Sequence, residues 1–292
     1  MRYNPLYFTF KEILMLSRLK NFIKTRSLLQ SANIAFSRGA LNATLRNVDS
    51  TNPISWEFQA FSQNGEDGII DYLCSKIICP NRYFLEIGSS NGLENNTAFL
   101  AYSRLFGGIM VDANTGIHLS NLFSLGVEVV EKFIDKNNIH ELLEMCLYKD
   151  MDVFCIDIDG NDYYMMKLFL DSGFSPSIIV AEYNSTYGAD KSITIKYRDD
   201  FSYSLAHPTM LYYGVSIEAW KRLLSKYGYK FITCDSRGVN AFFVKMDRFE
   251  QSFLDNIKGL EYQENFYELR KFKMPHQERF KLIENMEFVQ IG

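Results

Sequence analysis

No Cys-x-x-Cys pair occurs in the 292-residue chain, and its five cysteines, Cys74, Cys79, Cys146, Cys155 and Cys234, are odd in number. That spacing excludes a zinc ribbon and argues against a disulfide framework. Cys155 stands in an apolar run and reads as a buried thiol. No apolar run approaches the roughly 18–20 residues that a membrane-crossing helix needs. The amino-terminal stretch has no apolar segment followed by a small-residue cleavage site. A reducing, cytoplasmic compartment is therefore expected. An excess of one charge is lacking too: 31 basic and 35 acidic residues leave a formal net charge of −4. Nothing overall argues for a nucleic-acid partner. Internal repeats and low-complexity tracts are absent.

Apolar side chains, by contrast, are plentiful. They make up 47% of the chain, with 24 Phe and 18 Tyr. This is enough for a full core, plus a groove that stacks flat or amphipathic ligands. Residues 1–55 stand apart. Arg2, Lys11, Arg18, Lys20, Lys24, Arg26, Arg38 and Arg46 face only Glu12 and Asp49. Ile13, Leu14, Leu16, Leu19, Phe22 and Ile23 recur at helical spacing, so a basic amphipathic helical extension is predicted. Docking on the main domain, contact with a second copy of the chain, or peripheral attachment to the inner face of a membrane each fit that helix.

From residue 56 to 292 a single domain is predicted. Short apolar runs alternate with helical stretches. Strands are expected at Tyr83–Ile87, Gly108–Val111, Val127–Ile134, Val153–Ile158 and Ser177–Glu182. Helices are expected at Asn96–Leu105, Ile117–Leu125, Ile139–Tyr148 and Tyr163–Asp171. Such alternation predicts a doubly wound, mostly parallel Rossmann-like α/β sheet with helices on both faces. A helix at Ile217–Tyr227 follows a long Tyr-rich stretch. Then come strands Tyr229–Cys234 and Asn240–Val244, joined by Asp235-Ser-Arg-Gly-Val as an antiparallel hairpin. Five parallel strands closed by a hairpin are the order of the class I methyltransferase sheet; a dinucleotide-binding sheet ends in a sixth parallel strand. The segment after Asp247 reads as a charged, helical tail.

Four motifs carry chemistry. Glu86-Ile-Gly88-Ser-Ser90-Asn-Gly92 puts an acid at a strand end, then two glycines that allow a tight turn and close approach to the backbone. It misses the dinucleotide fingerprint GxGxxG but fits the ExGxxxG pattern. The same string satisfies GxSxG, which makes Ser90 a hydrolase nucleophile in an alternative reading. That reading lacks an upstream oxyanion loop and has only His207 for a triad. Asp112 closes the second strand 26 residues after Glu86, where an acid accepts hydrogen bonds from both ribose hydroxyls of an adenosine cofactor. Asp157-Ile-Asp159-Gly-Asn-Asp162 puts Asp157 and Asp159 on one side of the fourth strand, and Glu182 closes the fifth beside them. Three converging acids need a cation such as Mg²⁺, a proton or a polyhydroxylated ligand. Ahead of the first strand, Gln63 and Asn64 precede the helix start Glu66-Asp67 and lie within reach of the cofactor.

Ser62-Gln-Asn-Gly-Glu-Asp-Gly-Ile-Ile70, Phe84-Leu-Glu-Ile-Gly88, Cys155-Ile-Asp-Ile-Asp-Gly-Asn-Asp162 and Ile179-Val-Ala-Glu-Tyr-Asn184 together resemble FkbM-like methyltransferases. The resemblance covers Trp56 to Val244. It departs from the family at Asp159 and Asp162, where Glu is usual. It implies transfer of methyl from S-adenosylmethionine to a hydroxyl of a sugar or polysaccharide precursor. On that reading Gln63, Glu86, Gly88, Ser90, Gly92, Asp112 and Asp157 bind the cofactor. Asp159 and Glu182 activate the acceptor hydroxyl, with His207 as the alternative base. Asp157, Asp159 and Glu182 are the candidate Mg²⁺ ligands. Tyr187, Tyr197, Tyr203, Tyr212 and Tyr213 are expected to cover the acceptor as a lid. Two competing readings are a metal-dependent glycosyltransferase using Asp157-Ile-Asp159 as a DxD motif, and a non-catalytic scaffold of the same fold.

Overall fold

The protein is described by a computed structural model that covers Gly39, residues 46–114 and residues 126–292. Of the basic helical extension expected at residues 1–55, residues 1–38 and 40–45 lie outside the described residues, as does the helix expected at 117–125. Residues 46–292 form one compact unit. It takes in residues 46–55, which the sequence places in the extension. There Asp49 accepts the Trp56 indole N–H at 2.6 Å through its carbonyl. Trp56 itself is fully buried.

The central sheet contains β1 (Tyr83–Ile87), β2 (Gly107–Asp112), β3 (Val127–Glu131), β4 (Val153–Ile156), β5 (Ile178–Glu182), β7 (Tyr229–Cys234) and β8 (Asn240–Lys245). Their order is β3-β2-β1-β4-β5-β8-β7. β1 to β5 run parallel, and β8 pairs antiparallel with both β5 and β7. This is the doubly wound, hairpin-terminated, class I methyltransferase arrangement expected from the sequence. Strands β1, β4 and β5 are buried at every position. That is why they appear in the sequence as unbroken apolar runs and not as alternating ones.

Period-two alternation sorts their side chains onto two faces. Leu85, Ile87, Phe154, Ile156 and Ile179 face one core. That core is closed by α3 (Ile139–Met145), α4 (Asp162–Asp171) and α6 (Ile217–Ser225). Phe84, Met110, Val153, Cys155 and Val180 face the other. It is closed by α1 (Glu66–Cys74), α2 (Ala98–Arg104) and α7 (Gln251–Asn256). Helix α6 places Trp220 fully inside, and its indole N–H donates to the Glu182 carbonyl at 2.7 Å. One fully buried large side chain contributes about 1.5–3 kcal/mol, so Trp220 fixes the end of β5 firmly.

The Tyr-rich stretch departs from expectation. It is not a structureless lid. It contains a 3₁₀ turn at Ser185–Tyr187, strand β6 (Ile193–Ile195) and the short helix α5 (Tyr203–Ala206). The tail supplies α8 (Phe266–Phe272), α9 (His276–Lys281) and β9 (Phe288–Gln290). β6 pairs antiparallel with β9. Tyr187, Tyr212 and Tyr213 are buried in a third core with Leu211, Ile195 and Ile283. The Tyr187 and Tyr212 rings cannot sweep over an acceptor, because packing against Phe280 and Phe288 holds them. Tyr197 and Tyr203 remain partly exposed.

Candidate functional site

The parallel strands end together at one edge of the sheet, and the chain's chemistry gathers there. The order of connection reverses between β1 and β4, so the chain leaves these two strands in opposite directions and a cleft opens beyond their carboxyl ends. Gly88 leaves β1 with φ +94°. A Cβ on Gly88 would lie 1.6 Å from the Asp157 carbonyl oxygen, so only glycine lets the two strand ends meet. The Gly88 and Ser89 N–H groups both donate to the Val111 carbonyl. Ile87, Gly88, Val111 and Asp112 form one wall of the cleft, and Asp157, Asp159, Gly160 and Asn161 another. Lys132, Phe133, Ile134 and Phe201 complete it.

Asp112 is held by both oxygens. Oδ2 accepts the Ser90 N–H at 2.8 Å and Oδ1 accepts the Asn114 N–H at 2.9 Å. The carboxylate is thereby oriented before any ligand arrives. Ser90 thus meets the site through its backbone. Its side chain is exposed, and no hydrogen bond among the described residues joins it to a histidine. Gly92 is buried and continues the turn, donating to the Ser89 carbonyl at 3.0 Å.

Glu86 is not among the residues that line the cleft. It is 1% exposed. Its carboxylate accepts the Asn96 and Thr97 N–H groups at 2.9 and 3.0 Å, and the Thr97 hydroxyl as well. These donors stand immediately before α2, so Glu86 acts as the anion at the start of that helix. Burial lifts its carboxyl to about 7, against the pull of those donors. Gln63 is exposed and lies outside the cleft lining. Its neighbour Asn64 is bound to Glu66, its N–H and Nδ2 donating at 2.7 and 2.9 Å. Asp67 accepts the N–H groups of Ala60, Phe61 and Ser62, closing the loop before α1.

The acid cluster is where the structure brings the predicted residues together. Carboxylate oxygens of Asp157, Asp159 and Glu182 all lie within 4.8 Å of one another. Burial raises the carboxyl of Asp157 well above the ordinary range, and the negative charges of Asp159 and Asp162 add to this. Glu182 is raised likewise, by burial first and then by Asp157 and Asp159. Asp159 is lifted to about 6, by burial and then by Asp162 and Asp112. Burial and mutual repulsion thus disfavour ionisation of Asp157 and Glu182 side by side. Asp159 has φ +53°, the left-handed region that L-residues avoid. Asp162 keeps it there, accepting the N–H groups on either side, from Ile158 at 2.9 Å and Gly160 at 2.8 Å. Asp162 is therefore the scaffold of this loop, and burial raises its carboxyl too.

His207 is not brought into the cleft lining with Asp157 and Asp159. Its Nδ1 faces the Thr209 hydroxyl at 2.8 Å. Groups that the sequence reading missed are Phe133 and Phe201. Phe133 is 50% exposed while lining the cleft, which is unusual for so large an apolar side chain. Phe201 packs so tightly on Gly160 that a Cβ there would lie 2.5 Å from its ring. No periodic pattern marks either residue, and the Phe-Ile pair that ends the expected third strand was the only signal present.

Known proteins add likenesses of shape. An O-methyltransferase from Bacillus cereus in complex with SAH is 14% identical, with 73% of this chain and 89% of that one covered and a TM-score of 0.36. The N-terminal domain of EvdMO1, in the presence of SAH and D-fucose, is 10% identical over 57% of this chain and 76% of its own, at a TM-score of 0.34. The O-methyltransferase TomG from Streptomyces achromogenes, in complex with SAM, is 15% identical over 56% and 71%, at 0.34. No family model matches the chain, and no curated protein does. At these identities and scores the likenesses carry no functional weight. The fold rests on the chain's own strand order.

Proposed function

We propose that this protein is an S-adenosylmethionine-dependent methyltransferase that acts on a hydroxyl of a sugar or surface-polysaccharide precursor. The observation that carries the reading is the pairing, across one cleft, of a doubly anchored Asp112 with Asp157 and Asp159, whose carboxylates lie within 4.8 Å of the buried Glu182. An adenosine needs the first, and a weakly acidic hydroxyl needs the second. The cradle also fits a cofactor with a close-lying backbone, since Gly88 leaves no Cβ between the ends of β1 and β4.

In this reading Asp112 accepts the two ribose hydroxyls, and the backbone at Gly88 flanks the amino-acid end of the cofactor. Glu86 and Asp67 support the walls from behind. When bound, the cofactor supplies an electrophilic methyl group on a sulfonium, which an in-line attack removes as the neutral thioether forms. The acceptor hydroxyl forms the new O–CH₃ bond and loses its proton. Asp159 is placed to take that proton, because a carboxyl at about 6 is ionised at neutral pH yet remains basic. Asp157 and Glu182 orient the neighbouring hydroxyls of a polyol. Phe133 and Phe201 offer flat apolar surfaces at the same cleft. Three oxygens within 4.8 Å also suit a hard cation such as Mg²⁺, which lowers the pKa of a coordinated hydroxyl.

Among the described residues no helix is long and apolar enough to cross a membrane. A cytoplasmic site at the inner membrane face, where glycan precursors assemble, and attachment through residues 1–50, belong to the same proposal. Calorimetric titration with S-adenosylhomocysteine tests it. The parent chain is expected to bind and Asp112→Ala to bind at least ~10-fold more weakly. Equal affinity in both, or no binding by the parent, overturns the cofactor assignment. Repeating the titration with Mg²⁺ decides the metal: a cation bound at the cluster makes Asp159→Asn lose it.

A further inference from the structure

Arg279 is wholly buried, at 0% exposure, although it sits on a six-residue helix of the tail. Its partners are drawn from three separate segments. Nη1 lies 3.2 Å from Glu264 Oε2 and donates to the Met274 carbonyl at 3.0 Å. Nε lies 3.3 Å from both Glu268 Oε2 and the Thr186 hydroxyl, and Nη2 reaches the Ser185 hydroxyl at 3.4 Å. Glu268 in turn accepts the Thr186 hydroxyl at 2.9 Å and the Tyr213 hydroxyl at 3.4 Å. The turn at residues 184–187 is also joined to residues 211–213. Asn184 Nδ2 donates to the carbonyls of Leu211 and Tyr213 at 2.8 and 3.0 Å, and the Tyr187 hydroxyl donates to the Tyr213 carbonyl at 2.6 Å.

This network begins two residues after Glu182. Tyr213 is its link to the acid cluster: burial raises the phenol well above its ordinary value, and the charges of Glu268, Glu182 and Asp159 all add to that. One guanidinium therefore offsets two buried carboxylates, and only a planar fork meets Glu264, Glu268, Thr186 and Ser185 at once. We propose that Arg279 is a positioning residue for the acceptor side of the site, holding the turn after Glu182 and Tyr213 through Glu268. The word acceptor rests on the methyltransferase reading; the holding itself does not.

Hydrogen–deuterium exchange on the full chain tests it, with S-adenosylhomocysteine titration alongside. Arg279→Met is expected to raise exchange at residues 184–187 and 211–214 by about 10- to 100-fold, with β1 and β4 unchanged. Its affinity for S-adenosylhomocysteine should stay within about two-fold of the parent. Arg279→Lys should restore protection only in part. Glu268→Gln keeps the shape, and should loosen 211–214 even if Arg279→Met does not fold. Adding Glu268→Gln to Arg279→Met should recover part of the lost protection, since one of the two carboxylates that lost the guanidinium is then neutral. Exchange that rises equally over the whole sheet, unchanged exchange at 184–187 and 211–214, or loss of S-adenosylhomocysteine affinity in step with Arg279→Met overturns the proposal. A parent chain that binds no S-adenosylhomocysteine refutes the methyltransferase reading instead, and leaves the exchange comparison to judge the holding.

Discussion

Alanine at position 88 probes the junction of β1 and β4. The added Cβ would lie 1.6 Å from the Asp157 carbonyl oxygen, whereas real Cβ contacts essentially never fall below 3.0 Å. The strand ends must therefore part by about 1.4 Å. That movement breaks the Asp157 N–H bond to the Ile87 carbonyl, now 2.9 Å, and the Gly88 N–H bond to Val111, now 2.8 Å. Two backbone hydrogen bonds contribute about 1 kcal/mol each. A left-handed L-residue costs about 1–2 kcal/mol, and forced overpacking about 1–3 kcal/mol. The expected loss is about 4–7 kcal/mol, comparable with the whole stability of many domains. Gly214→Ala is the control. Its φ is also positive, +63°, yet nothing lies within 4 Å of its added Cβ, so it should show the backbone cost alone. Urea unfolding followed by the fluorescence of Trp56 and Trp220 measures both. If Gly88→Ala falls within about 1 kcal/mol of Gly214→Ala, the close approach of these strand ends is wrong.

Asp159→Asn should stabilise the protein at pH 7.5, because the folded carboxyl sits near 6 against an ordinary 3.8. A raised carboxyl favours the folded state at low pH, and that support fades as pH rises from about 4 through 6. The variant should gain up to about 3 kcal/mol at pH 7.5 and nothing at pH 3.5, as read by denaturation at both. Asp162→Ala strands the Ile158 and Gly160 N–H groups and should lower stability by about 2–4 kcal/mol, while Asp162→Asn keeps one acceptor and costs less. Removing residues 287–292 deletes β9 and should expose the core of Tyr187, Tyr212 and Phe280; dye binding should rise, with S-adenosylhomocysteine affinity kept.

The main sheet was legible because its strands are buried on both faces. Phe84, Leu85, Ile87 and Val153 to Ile156 leave unbroken apolar runs, and Asp235 to Val239 carry turn chemistry between two more. β6 and β9 were not, since three residues show no period, and their partners are found only through tertiary contact. At the site, strand-end position sufficed for Asp112, Asp157, Asp159 and Glu182. It did not reveal which face Glu86 takes or what holds it. The Thr97 and Asn96 donors depend on where α2 begins after the glycine turn, and no spacing rule gives that direction. The tyrosines misled for a related reason: a phenol looks the same in sequence whether its ring lines a groove or, like Tyr187, fills a core.

The pairing of β6 with β9 also sets an order of assembly. The Ser192 hydroxyl donates to the Ile291 carbonyl across 99 residues, and Ile291 N–H returns a bond to Ser192. Closing a flexible segment of that length costs about 4 kcal/mol in chain entropy, more than two short strands can repay. They can meet only once the intervening sheet has folded and brought their ends near one another. In refolding, the strands that carry the acids are therefore expected to pair before β6 and β9 do.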